Sequence, residues 1–484
     1  MVLVDGTYNW VLIMILSNLD EINNNKYDVC IVGSGPAGIT TAISLASTVK
    51  VLILEAGNIE YSEKSQEFFT GKVVGDDYYD LKICRLRQMG GASGHWGGKC
   101  RTLDDFDFAH KDYSPEANWP IQKSDLDKHL LKAASILKIN PAFKNSSYAW
   151  DSNIENIPFE FSPPVRFKQQ YFDFIAKSKN IDLIANTAVS AVRLANSSIK
   201  ELILSNTLGL KGKLKAKTYV FAMGGIENGR MLKFIAVDNP TSALSKNKNV
   251  GAYWMDHPHC TIGDFYYDKA VGDHWHVGLS AQQKRKLKVL NCNLNLVPHI
   301  GHSDDGAAKK LLRELMCVNE KIGSQISLGL GKNYCGGRID AAWEQEPNFN
   351  NAIDLDSKVD AFGVPKVILK FKISEIDLRT ISSTAEYVAE SMVKNGKAKI
   401  RLHEWLWGNK YPVEGSSWGP HHMGGTRMSK TKESGVVDPN LKCWDVSNLF
   451  MVGSSVFPSG GHANPTLTIV QLASRLADYL MKNP

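Results

Sequence analysis

No Cys-x-x-Cys pair, no Cys/His zinc spacing and no haem or iron–sulfur motif occurs in these 484 residues. Their absence excludes a structural zinc module and a built-in electron-transfer centre, and no metal site is expected. The eight cysteines, Cys30, Cys84, Cys100, Cys260, Cys292, Cys317, Cys335 and Cys443, stand singly along the chain. They read as mostly buried thiols in a reducing compartment, Cys30 serving as a small hydrophobe inside a strand. A membrane-length apolar run is missing too: Trp10 to Leu16 falls far short of the roughly 20 residues a span needs. No basic stretch precedes it and no clear small-residue cleavage site follows, so residues 1–24 read as an N-terminal extension packed on the fold of a cytoplasmic protein with no membrane span. Internal repeats and low-complexity tracts are lacking as well. Charge of one sign is scarce: the net +6 is scattered, as in Lys284-Arg285-Lys286 and Lys309-Lys310, which read as solvated faces, and a nucleic-acid partner is not expected.

What is present is a chain with 43% hydrophobic and 22% charged residues, the balance of a globular protein, and long enough for two or three domains and a large buried cofactor. Lys26-Tyr-Asp-Val-Cys-Ile-Val-Gly-Ser-Gly-Pro-Ala-Gly38 is a short apolar strand running into Gly33, Gly35 and Gly38, and Glu55 closes a second strand, Val51 to Leu54, 22 residues after Gly33. In such a dinucleotide-binding unit Gly33 turns the chain, Gly35 lets the backbone approach a pyrophosphate, and Gly38 lets the helix over 39–48 pack closely on the strand. The helix N-terminus presents unpaired N–H groups to the phosphates, and Glu55 accepts from a ribose.

Further along, Met89-Gly-Gly-Ala-Ser-Gly-His-Trp-Gly-Gly98 has too many glycines for a helix and must turn repeatedly or wrap a ligand. Helices are predicted over 124–137 and 167–178, and short strands over 181–184, 188–194, 199–204 and 213–222, the last running into a second glycine turn and helix at Met223 to Leu232. Residues 253–402 mix strands and helices, for example 364–373 followed by 375–394, and predict an antiparallel sheet with helices. The late segment returns to strand, loop and helix, with Pro465 in the first turn of a helix over 464–479.

Three segments together resemble the glucose-methanol-choline (GMC) oxidoreductases, a family that binds FAD. They are the first unit ending in Leu54-Glu-Ala-Gly57, the middle Ala222-Met-Gly-Gly-Ile-Glu-Asn-Gly-Arg230, and the late His422-Met-Gly-Gly-Thr-Arg-Met428 with Val436-Val-Asp438 and Asn464-Pro-Thr-Leu-Thr468. Within the family, Gly90-Gly-Ala-Ser-Gly-His-Trp96 and the Asn-Pro-Thr-Leu-Thr ending resemble the pyranose oxidase branch and bacterial sugar and glycoside oxidoreductases. The resemblance implies an α/β FAD-binding, Rossmann-like domain with a parallel sheet (residues 25–110, 180–252 and 430–484). Interleaved with it is an α+β substrate domain on an antiparallel sheet (111–179 and 253–429). It implies that Gly33, Gly35, Gly38 and Glu55 hold the adenosine diphosphate half and that Val189 meets the adenine. Gly91, Ser93, His95 and Gly97 would then lie along the flavin, with Ala222 from the middle segment and Gly453, Ser454, Pro465 and Thr466 from the late one. In pyranose oxidases the histidine at the position of His95 is bonded covalently to the flavin; the continuation Gly97-Gly98 departs from that branch, and noncovalent FAD is the expectation.

The implied activity is oxidation of a secondary hydroxyl of a sugar or glycoside to a ketone, a flavin taking the hydride and a histidine the proton. By the family's spacing the resemblance implies that His422, four residues before Thr426, is the base, with Asn464 orienting the same hydroxyl; His462 is expected to line the pocket. His421 is expected to point elsewhere, since adjacent residues rarely face one site. His257 and His259 flank Pro258 at metal-like spacing but lack a third ligand, and their segment reads as closing a domain junction. Trp405, Trp407 and Trp418 either stack on a sugar ring or fill a core, and Asp438 braces a loop. Oxygen, a quinone or a separate redox protein would reoxidise the flavin. A lyase with structural FAD and an oxidoreductase of a non-sugar alcohol are the alternatives.

Overall fold

Val29–Val32, apolar and buried at every position, is the middle strand of a five-stranded sheet in the computed structural model, which describes residues 26–163, 165–266, 275–298, 336–408 and 420–483. The extension 1–24, Lys309-Lys310, Cys317, Cys335 and Trp418 lie outside the described residues. Across this sheet the strands run Leu449–Met451, Thr218–Phe221, Val29–Val32, Val51–Leu54 and Ile181–Ile184, all parallel. Strands buried on both faces need continuous apolar runs, which Val-Cys-Ile-Val and Val-Leu-Ile-Leu supply. Helices Pro36–Leu45 and Pro465–Lys482 pack against each other beside it.

A second sheet has seven antiparallel strands in the order Lys399–Leu402, His259–Tyr266, Gly336–Trp343, Cys292–Pro298, Trp275–Leu279, Asp151–Asn156 and Ser146–Tyr148. Helix Glu375–Lys394, started by a reciprocal Ser374/Asp377 capping box, buries Ile381, Ala385, Val388 and Met392 against this sheet. A three-stranded antiparallel sheet (Ala188–Ala195, Ser198–Ser205, Lys211–Leu214) joins the parallel core.

Several predicted elements shift. The 124–137 helix is two helices, Lys123–Asp127 and Leu130–Leu137, with His129 at φ −104°, ψ 2° between them. The 213–222 strand is also two, Lys211–Leu214 and Thr218–Phe221, parted where the Ala216 N–H turns to donate to the Tyr219 hydroxyl. The expected boundaries also need correction. From the stretch 111–179 only residues 146–148 and 151–156 enter the seven-stranded sheet, whereas Trp119, Leu126, Ile136, Phe167 and Ile175 are buried in the parallel-sheet core. Gly71–Gly75, placed by sequence with the nucleotide fold, pairs with Pro365–Phe371. The five side chains from 111–179 are apolar and take the nearer core, regardless of the intervals that sequence motifs mark out.

Candidate active site

A cavity of about 910 Å³ lies between the two sheets. Three helix N-termini reach it, at Pro36, Gly224 and Pro465, and none of these helices is capped by a side chain. Uncapped helix starts carry unpaired N–H groups and the positive end of the helix dipole, so this wall favours an anionic ligand.

The structure brings Gly33, Gly35, Glu55, Gly91, Ser93, His95, Gly97, Val189, Ala222, Gly453, Ser454, Pro465 and Thr466 to this one cavity. Gly38 is not among them. A Cβ there would stand 1.9 Å from the Gly33 carbonyl oxygen, so Gly38 serves helix-on-strand packing and not ligand contact. Gly33 has φ +107°, and a Cβ on it would strike the Ala222 carbonyl at 2.5 Å. At Gly35 and Gly97 a Cβ would meet no protein atom within 4 Å, so these positions leave the cavity open for a ligand. Glu55 already accepts from the Ser34 N–H (3.0 Å) and hydroxyl (2.6 Å) and from the Gly57 N–H (2.7 Å). Its position therefore depends on the glycine turn itself. His95 is exposed at the cavity wall.

The late histidines come from a loop tied down on two sides. Gly424 N–H donates to the Ser454 carbonyl (3.0 Å), the Ser454 hydroxyl to the His422 carbonyl (2.6 Å), and Met255 and Met423 bridge as antiparallel partners. Asn228, buried in helix Gly224–Asp238, donates to the Ser455 hydroxyl at 2.8 Å and accepts from the Met223 N–H at 3.0 Å. Thus the glycine turn of the middle segment is fastened to the late loop.

Here the structure corrects the expected pairing. Asn464 Nδ2 lies 3.1 Å from Nε2 of His421, not from a nitrogen of His422. The bridge to Met255 sets the alternation of this segment, and both rings line the cavity on different neighbours. His422 packs beside Trp254 and Tyr78, at ring distances of 5.7 and 6.3 Å, and its buried Nε2 has no partner. His421 Nδ1 lies 3.0 Å from His257 Nδ1, and His259 Nδ1 donates to the His257 carbonyl at 2.5 Å. The buried Asp256 carboxylate joins the two loops, accepting from the N–H groups of His257 and His421 and from the Tyr78 hydroxyl. Burial and the neighbouring rings of His257, His259 and His422 hold His421 well below the ordinary imidazole range. Burial likewise depresses His422 to about 3 and His257 to about 3. All three are therefore neutral near pH 7 and each keeps one lone pair for accepting a proton. His462 also lines the cavity, with Nε2 at 3.5 Å from Asp104 and Nδ1 buried without a partner.

His257 and His259 were missed as site residues by sequence reasoning, although Asp256-His-Pro-His259 carried a signal in its density of imidazoles. Among the described residues no group of side chains is arranged to hold a metal. Trp405 packs on the antiparallel-sheet core and Trp407 is exposed, and neither lines the cavity. Asp438 accepts from the N–H groups of Asn440 and Lys442 and so braces its own loop.

Residues 347–473 match the family model described as GMC oxidoreductase. That stretch is a GMC oxidoreductase C-terminal domain. The chain is 26% identical over 280 residues to the fructose dehydrogenase large subunit of Gluconobacter japonicus, a match covering 56% of this chain and 48% of that one. It is 30% identical over 155 residues to a C-glycoside 3-oxidase of Arthrobacter globiformis, covering 32% and 26% of the two chains. The matched stretches thus span about half the length of the first relative and about a quarter of the second. Among solved structures, pyridoxine 4-oxidase from Mesorbium loti superposes with a TM-score of 0.57 at 14% identity, over 94% of this chain and 99% of the other. A formate oxidase of Aspergillus oryzae superposes at 0.58 with 14% identity, over 95% and 98%. The fold of these two oxidases is thereby shared along almost the whole chain. No described helix is long and apolar enough to cross a membrane.

Proposed function

We propose that this protein is a GMC oxidoreductase that holds FAD noncovalently in the 910 Å³ cavity and oxidises a secondary hydroxyl of a sugar or glycoside to a ketone. The residues present fit that cofactor: open space at Gly35 and Gly97, a positive-φ turn at Gly33, and three uncapped helix starts suited to a pyrophosphate. Gly33, Gly35 and Glu55 would hold the adenosine end with Val189, and Gly91, Ser93, His95, Gly97, Gly453, Ser454, Pro465 and Thr466 the remainder. When bound, the flavin supplies the hydride acceptor.

The observation that carries the reading is the His421–Asn464 contact at 3.1 Å within the cavity. His421, neutral and buried, takes the hydroxyl proton at Nε2, and Asn464 orients that hydroxyl. His421 therefore replaces His422 as the base of this proposal. Positioned proton transfer of this kind contributes roughly 10²–10⁴-fold. His462 lines the same pocket beside Asp104. In this reading the parallel sheet would carry the nucleotide-binding part and the seven-stranded antiparallel sheet the substrate-binding part. The sugar and glycoside relatives support the substrate class.

The test is an anaerobic screen of sugars, glycosides and simple alcohols for bleaching of the flavin absorbance, with oxygen and a dye acceptor run in parallel. Bleaching by a sugar or glycoside is expected. A colourless protein that takes up no FAD would overturn the reading, and a yellow protein that transforms substrate while its flavin stays oxidised would make it a lyase.

A further inference from the structure

Two imidazoles whose Nδ1 atoms stand 3.0 Å apart, as in His257 and His421, can be joined by only one proton. With both rings neutral, two arrangements are possible. In one, His421 Nδ1–H donates to His257 Nδ1, which leaves His421 Nε2 bare and puts the second proton on His257 Nε2. In the other, His257 donates, and His421 carries its proton on Nε2. One contact decides for the first. Asn464 Nδ2, a donor, faces His421 Nε2 at 3.1 Å and needs a lone pair there. On the far ring, Nε2 of His257 is buried with no hydrogen-bond partner among the described residues, so no donor at that nitrogen opposes this arrangement. The two rings are also fixed relative to each other, because Asp256 accepts from the backbone N–H of both residues and the Met255–Met423 bridge joins their loops.

We propose that His257 is a positioning residue that fixes the tautomer of His421, keeping Nε2 bare toward the cavity. This rests on the reading of His421 as the base. When the hydroxyl proton arrives at Nε2, the His421 ring carries both of its N–H groups, and its Nδ1–H bond to His257 becomes charge-assisted. The proton balance is closed by the two rings alone: one proton leaves the alcohol oxygen, one is gained by the His421–His257 pair. An asparagine at 257 has a carbonyl oxygen to offer near the place of Nδ1, whereas a leucine offers no acceptor.

The decisive measurement is long-range ¹H–¹⁵N correlation on the intact FAD-loaded protein labelled at histidine nitrogens, with His421 assigned by the signals lost in His421→Asn. Wild type is expected to show a protonated Nδ1 and an unprotonated Nε2 on His421. His257→Leu is expected to give a mixture of tautomers or a protonated Nε2, and His257→Asn to restore the wild-type pattern. Should His257→Leu fail to fold, the wild-type spectrum and His257→Asn still decide. A His421 that is bare at Nδ1 in wild type, or one unchanged in His257→Leu, overturns the proposal. Failure of the base reading shows separately: His421→Asn would then bleach its flavin at the wild-type rate whatever the tautomer spectrum.

Discussion

At the scale of single residues, adjacent side chains divide the work. His421 meets Asn464 and His257, while His422 is enclosed by Trp254 and Tyr78. Replacing His421 with asparagine is expected to slow anaerobic flavin reduction by about 10²–10⁴-fold with FAD still bound, and the same change at His422 by under about 10-fold. Stopped-flow absorbance on both variants checks this. The glycines divide in the same manner. Gly38→Ala drives a methyl group into a backbone oxygen 1.9 Å away, and the overpacking should cost about 1–3 kcal/mol of stability by denaturant unfolding. Gly35→Ala meets no protein atom, so the unfolding midpoint without FAD should stay put while titration reads a weaker FAD affinity. The glycine turn and its partner strand were legible in sequence because their geometry is local. The partner of Asn464 was not: spacing from Thr426 pointed to His422, and only the distant bridge between Met255 and Met423 decides which ring faces which neighbour.

At the scale of elements, helix Gly224–Asp238 is anchored by charge. Glu227 accepts from Arg85 and Arg230 at 2.7 Å each, and Arg230 also donates to Asp360 at 2.7 Å, all four side chains being largely buried. The two guanidinium groups hold Glu227 at about 2 against the opposing effect of burial. Glu227→Gln leaves two buried cations short of charge, and a loss of about 3–5 kcal/mol is expected from denaturant unfolding. A Glu227→Gln protein of wild-type stability would show that the cluster contributes little. Long periodic elements such as Glu375–Lys394 were legible from sequence. The breaks at His129 and Ala216 were not, because each depends on a local turn with no glycine or proline to mark it. The pairing of Gly71–Gly75 with Pro365–Phe371 joins residues nearly 300 positions apart, and periodicity holds no information about such partners.

For the whole molecule, buried ionisable groups set the response to acid. His257, His259, His421, His422 and His462 are all depressed by burial, the first two to about 3 and about 4. Below the unfolded value of about 6.5 the unfolded chain takes up protons at these sites that the folded chain does not, so stability is lost as pH falls. Asp256, Asp107 and Asp377 act in the other direction: burial raises them to about 6, about 7 and about 7, and the folded chain holds those protons where the unfolded chain does not. Five histidines outnumber three carboxyls, and the net effect is a thermal midpoint that falls between pH 6.5 and 5, checked by calorimetry at constant ionic strength. A midpoint that rises across this window would mean the carboxyls dominate. Because the proposed FAD is noncovalent, acid precipitation should leave the yellow colour in the supernatant; colour retained in the pellet would place a bond at His95.

The cavity draws its walls from positions as far apart as Val32 and Ile469, and the strand Leu449–Met451 completes the sheet edge beside Thr218–Phe221. Ribosomes release the glycine turn hundreds of residues before the imidazoles that oppose it. A nascent polypeptide stalled before residue 420 lacks the wall that His421, His422, Gly453, Ser454 and Asn464 supply, so capture of the proposed cofactor should wait for that wall to dock, and a nick that frees it should discharge the ligand.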